Sequence, residues 1–150
     1  MTNTECNKPQ TDLRQLTAQL IHIYQSVAVQ HWSFFINDVS TDQFVSTNAD
    51  TLNSMMSSLL YITARCSKDS CIRISAFGQG DIMTISLKDS NAVNNYAVLY
   101  EFQHLKILAQ QLQGFLDINT VRNKETIVSF SFNNVQLHTE NAIVRELKRA

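Results

Sequence analysis

Glycine is scarce in this sequence, with three in 150 residues, and proline occurs once, at Pro9. So few glycines leave no room for a phosphate-cradling glycine loop, whose backbone must fold tightly around an anion. No Walker loop, G-x-S-x-G elbow or H-E-x-x-H pair occurs. Cysteine is equally thin. Cys6, Cys66 and Cys71 are odd in number, and CSKDSC brings no further thiol or histidine at ligand spacing. That excludes a disulfide framework and a zinc site, and leaves ordinary thiols. Neither charge sign dominates: 12 basic and 13 acidic residues give a net charge of -1, without long runs. A nucleic-acid binder would need a basic excess, so nucleic acid is not an expected partner. No run reaches the roughly 18 apolar residues of a membrane span. MTNTECNKPQ has no apolar core of a secretory signal. A cytoplasmic domain that makes no membrane contact is the expectation.

What is present is amphipathic pattern. Hydrophobic residues make up 44% of the chain, enough for one core without staples. Residues 1–10 read as a disordered tail and 11–150 as a single domain. Thr11 or Asp12 is placed to cap a helix carrying Leu13, Leu16, Leu20, Ile23 and Val27, ending near Val29. Trp32, Phe34 and Ile36 then alternate as a half-buried strand, and a short strand follows at Gln43–Ser46. Asn48 or Asp50 caps a second helix with Leu52, Met55, Met56, Leu59 and Ile62 inward. The methionine pair is core filler. CIRISAF and IMTISL form a hairpin around GQGD. A third helix runs from about Val98 to Gln113, with Gly114 placed to take positive φ at its end. FLDI and IVSFSF pair across NTVRNKE, and NAIVRELKRA suits a short terminal helix. Strands come in pairs between helices. That order predicts an α/β (α+β) two-layer sandwich: a mixed sheet of about five strands with three helices on one face. Leu16, Leu20, Phe34, Leu59, Ile74, Ile85, Leu105, Leu108 and Phe130 are the expected core.

This order, with the stretches NADTLNSMMSSLLYITARCS, CIRISAFGQGDIMTISLKDSN, YEFQHLKILAQQLQG and ETIVSFSF, resembles the ATP-binding domain of sensor histidine kinases, the GHKL ATPase superfamily. The resemblance covers about residues 11–132 and rests on spacing and hydrophobic pattern. It implies that an asparagine on the second helix should hold Mg²⁺ against ATP. Here that position falls on Ile62, or on Ser58 in a register four residues earlier. Neither is a good Mg²⁺ ligand. Arg65 and Ser67 stand where the family often has lysine and threonine. Asp89 matches the aspartate that accepts the adenine amino group. On the residues alone, Asp89 reads as the start of an Asx turn. Asn91 and Val93 replace the glycines that should follow, and Val93 disfavours left-handed backbone. The ten residues from Ser90 to Leu99 contain no glycine, so the lid looks deleted. Thr126 matches the threonine of a Gly-Thr pair whose glycine is Glu125, a carboxylate that would repel a triphosphate.

A phospho-acceptor histidine is a further possibility that the family raises. His22 is followed by Ile23, Tyr24 and Gln25 rather than a carboxylate, and reads as structural. His31, His104 and His138 share no metal spacing. The resemblance therefore implies a degenerate, or pseudo-, ATP-binding domain of a bacterial two-component sensor, acting as a regulatory or protein-interaction module. Asp89 and Thr126 would be a vestigial nucleotide site, with no catalytic residue, no metal and no cofactor. The alternative is a divergent but active domain, using ATP and Mg²⁺. The expected partner is a signalling protein, either a sensor helical hairpin or a response regulator. Tyr96 and Tyr100, four apart in VNNYAVLYEFQ, are either partner-binding anchors or cover for the sheet edge.

Overall fold

The computed structural model describes residues 10–91, 103, 105–121 and 125–134. In chain order the elements are β1 (Thr11–Asp12), α1 (Leu13–Gln30), β2 (Phe34–Asn37), β3 (Phe44–Val45) and α2 (Ala49–Cys66), then β4 (Cys71–Gln79), β5 (Ile82–Asp89), α3 (Leu105–Gln111), β6 (Phe115–Val121) and β7 (Glu125–Asn133). Five strands form one sheet in the order β2-β4-β5-β7-β6, and β1 and β3 pair separately. β2 runs parallel to β4, and every other neighbour is antiparallel. The sheet is therefore mixed, with the three helices packed on one face, as the pairing of strands predicts. No helix among the described residues is long and apolar enough to cross a membrane.

The helix caps follow from side-chain chemistry. Asp12 accepts from the Gln15 N–H at 3.1 Å, and Asn48 from the Thr51 N–H at 3.0 Å. Each satisfies a donor that the first helical turn leaves orphaned. The buried face of α1 is Leu13, Thr17, Leu20 and Ala28, while Ile23 is exposed. An apolar count misses this face because Thr17 belongs to it. Its hydroxyl returns to the Leu13 carbonyl at 2.7 Å, so it enters the core with its polarity satisfied. On α2, Met55, Met56, Leu59, Leu60 and Ile62 are all buried, in agreement with the core-filler reading.

Sheet register decides which strand residues reach the helices. Ile72, Ile74, Ile85, Leu87, Val128 and Phe130 share the buried face. Phe35 lies opposite Ile72, so it belongs to that face and is 5% exposed. Phe34 lies opposite Cys71 and is 49% exposed. The expectation that Phe34 is core is therefore wrong by one residue, and in a strand one residue changes the face. Of the other expected core residues, Leu20, Leu59, Ile74, Ile85, Leu105 and Phe130 are buried, and Leu16 and Leu108 are partly buried against them.

Two helix ends use left-handed residues that are not glycine. After α1 the Trp32 N–H reaches the Val29 carbonyl and the Ser33 N–H reaches Ala28, with Trp32 at φ 61°. After α3 the Gln113 N–H reaches Gln110 and the Gly114 N–H reaches Ala109, with Gln113 at φ 53°. Both are Schellman closures, whose left-handed position costs a residue with a Cβ about 1 kcal/mol. Gly114 is thus not the positive-φ residue expected. It is needed for another reason: a Cβ there would lie 2.6 Å from the Phe130 ring and 2.7 Å from the Ser131 carbonyl oxygen. The β6–β7 strands also run further than FLDI and IVSFSF, leaving only residues 122–124 between them. Asn134 closes the far end of the sheet. Its side chain accepts from the Ser46 N–H at 2.8 Å and donates to the Phe44 carbonyl at 3.1 Å, and its own N–H donates to Asp81.

Candidate functional site

The core face of β5 reads Met83, Ile85, Leu87 and Asp89, and that of β7 reads Thr126, Val128, Phe130 and Phe132. Alternation thus ends each apolar row in a polar residue. Asp89 and Thr126 are direct cross-strand partners, 8% and 5% exposed. The two residues singled out in the sequence are therefore brought together by register, at the end of the sheet where the chain leaves β5.

The Asp89 carboxylate already has protein partners. It accepts from the Asn91 N–H at 3.0 Å, which is an Asx turn. The Ser70 hydroxyl also reaches it. That hydroxyl has one proton and a second acceptor, the Lys68 carbonyl at 3.0 Å, so it serves one at a time. Asn91 Nδ2 donates to the same Lys68 carbonyl at 2.8 Å. Ser90 exchanges bonds with Cys71, its N–H donating to the Cys71 carbonyl and its hydroxyl accepting from the Cys71 N–H. The described start of the loop is thus tied down by Asp89, Ser70, Asn91 and Ser90. The sequence signalled the Asx turn. The serine came unannounced, because it precedes a different strand 19 residues earlier.

Burial pushes the Asp89 carboxyl above its ordinary value of 3.8, and the bonds from Ser70 and Asn91 offset this only in part. The sign of the consequence is fixed. At low pH both folded and unfolded forms carry the proton and Asp89 costs nothing. As pH rises, the unfolded form ionises first, and stability is lost until the folded carboxyl ionises too. Asp89→Asn should therefore raise the melting temperature at pH 7 by a few degrees. The gain should shrink as the pH is lowered toward 4. Paired thermal melts across that range check it, and a variant less stable than wild type at pH 7 would contradict it.

The other family positions fall as follows. Ile62 is buried and carries no oxygen; Ser58 is half-buried and offers one neutral hydroxyl. Thr63 is also buried, and its Oγ1 has no hydrogen-bond partner among the described residues. It is turned about 100° round the helix from Ile62, so it is no substitute at that position. These side chains do not fit an octahedral Mg²⁺ held from α2. Glu125 lies on the sheet face opposite to that of Thr126, where its carboxylate meets Lys88 Nζ at 3.6 Å. Val93, Tyr96, Tyr100, His104 and His138 lie outside the described residues. His22 is exposed on α1. Cys66 and Cys71 are not joined by a disulfide.

No family model matches the chain, and no curated protein does. Solved structures match well in shape. The histidine kinase AdeS of Acinetobacter baumannii superposes with a TM-score of 0.70 at 10% identity, over 84% of this chain and 66% of its own. The blue-light activated histidine kinase EL346 of Erythrobacter litoralis gives 0.64 at 12%, over 85% of this chain and 47% of its own. The catalytic domain of the histidine kinase ThkA gives 0.67 at 11%, over 84% of this chain and 96% of its own. The chain thus spans nearly all of an isolated catalytic domain, but less than two thirds of the two longer kinases. At these identities the likeness is one of fold, and the fold is that of histidine kinase ATPase domains.

Proposed function

We propose that this chain is a degenerate ATP-binding domain of the histidine kinase type, retained as a regulatory or protein-interaction module in two-component signalling. The observation that carries the reading is the donor set. Buried Ile62, or half-buried Ser58, falls where the resemblance puts the Mg²⁺-holding asparagine, and the Asp89 carboxylate is engaged by Ser70 and Asn91. A metal offered at most one neutral hydroxyl from that α2 position, and an adenine competing with two internal donors, both bind poorly. Calorimetric titration with Mg-ATP should give a dissociation constant weaker than about 1 mM, worth less than about 4 kcal/mol. A clear isotherm that Asp89→Ala removes would overturn the reading.

That outcome would favour the second reading, a divergent but active domain. Its support is the Asp89–Thr126 pair, two buried polar residues kept opposite one another at the end of an otherwise apolar face. Under the first reading the partner is a signalling protein, either a sensor helical hairpin or a response regulator. Tyr96 and Tyr100 are the proposed anchors. Replacing both by alanine should abolish binding to a cognate hairpin or regulator while leaving the melting temperature near that of wild type. Unchanged binding would remove the tyrosines from the interface.

A further inference from the structure

The two edges of the sheet are treated differently. The outer edge of β2 is closed by α1 and its surroundings. Gln25 Oε1 accepts from the Phe35 N–H at 3.0 Å, Asn37 Nδ2 donates to the Arg14 carbonyl at 3.1 Å, and the Arg14 guanidinium donates to the Val39 carbonyl. The first takes up a main-chain donor that another strand would use, and the other two hold α1 against β2 and the residues after it. β6, at the opposite edge, has no such protection among the described residues. Its seven residues pair continuously with β7 on one side, without a bulge. Phe115–Val121 contains no proline and no lysine, the usual devices that blunt an edge. Its one charge is Asp117, and Phe115 at its start is 67% exposed.

The sequence of β6, FLDINTV, is self-complementary about Ile118. Set antiparallel to its own copy with Ile118 on the dyad, Phe115 faces Val121 and Asp117 faces Asn119 on the open side of the sheet. On the helix side, Leu116 faces Thr120 and Ile118 faces Ile118. All seven residues are paired, apolar ends meet, and no charge opposes its like. Centring the dyad on Asp117 would set two carboxylates against each other, and centring it on Asn119 would leave Phe115 and Leu116 without partners. A cleft of about 330 Å³ lies where α3 meets the start of β6, lined by Lys106, Gln110, Phe115 and Asp117 among others.

We infer that the outer edge of β6, which no described residue covers, is a docking surface for a second copy of this chain, which joins two sheets antiparallel across a two-fold axis through Ile118. Main-chain bonds supply the affinity, and the side-chain pattern sets the register. This inference does not depend on whether the Asp89 site is active.

The register is testable at Asn119, which is exposed on β6 and faces Asp117 of the second copy. Sedimentation equilibrium of the full chain should show a reversible monomer–dimer equilibrium. Asn119→Asp places like charges opposite each other twice and should weaken dimerisation roughly tenfold. Asn119→Lys creates two cross-strand ion pairs and should tighten it by a similar factor at low salt, less at high salt. Melts of dilute samples establish that both variants fold. A wild-type chain that stays monomeric at about 1 mM, a threshold equivalent to about 4 kcal/mol, overturns the inference. So do Asp and Lys variants that shift association in the same direction.

Discussion

Phe35→Ala is expected to destabilise the domain by about 3–5 kcal/mol, the usual cost of emptying an aromatic site in a close-packed core. Phe34→Ala, one residue away, should cost less than about 1 kcal/mol. Phe35 shares its face with Ile72 and Ile74, beneath the helices, whereas Phe34 shares the open face with Cys71 and Arg73. Urea unfolding of the two variants gives the ratio directly. Equal losses would mean that β2 is out of register with β4. The open-face contact of Arg73 is an ion pair with Asp38 at 2.8 Å, with both groups about half exposed. Such a pair adds little stability, so it does not rescue the register energetically.

Gly114→Ala should cost about 2–4 kcal/mol, a large loss for a single added methyl group. The methyl would sit 2.6 Å from one Phe130 ring atom and 2.7 Å from the Ser131 carbonyl oxygen. Phe130 is fully buried and stacked on Phe132 at 5.2 Å between centroids, so the ring cannot swing away. The carbonyl belongs to β7, so moving it displaces the strand that pairs with β5. One residue earlier the expected sign reverses. Gln113→Gly relieves a left-handed residue and should stabilise by up to about 1 kcal/mol. Denaturant midpoints of the two variants test the assignment. A tolerated Gly114→Ala with a damaging Gln113→Gly would restore the conventional glycine cap.

Much of the architecture was legible because periodicity speaks for it. The α2 stripe and the β4–β5 hairpin are each a strong pattern with an unambiguous face. β2 was not, because Phe34, Phe35 and Ile36 place apolar residues at both parities of a four-residue strand. Alternation cannot choose a face there, and only the partner residue does. The cap after α3 was misread because a glycine near a helix end has two possible uses, and the need for close approach at Phe130 is invisible in one dimension. At the site, Asp89 is legible as a carboxylate at a strand end, whereas Thr126 is marked only by the resemblance. Their pairing follows from a register set by residues in between. The face that Glu125 takes is likewise set by strand alternation, which turns it away from Thr126 however close the two are in sequence.

Asn134 links the β3 segment to the residue after β7, since its side chain bonds Phe44 and Ser46. On a ribosome this has a temporal consequence. The chain emerges from its N-terminus, so α1, β2, α2, β4 and β5 are available before β7 exists. During that interval β5 has a partner on one side only, and Thr84–Asp89 presents an unpaired edge to the crowded exit site. Pairing with β7 fills that edge, and Asn134 comes directly after β7. The domain thus completes its sheet and fastens the β3 segment nearly in one step. A nascent chain stalled before residue 125 should remain protease-sensitive across β5, and one stalled well past residue 134 should not.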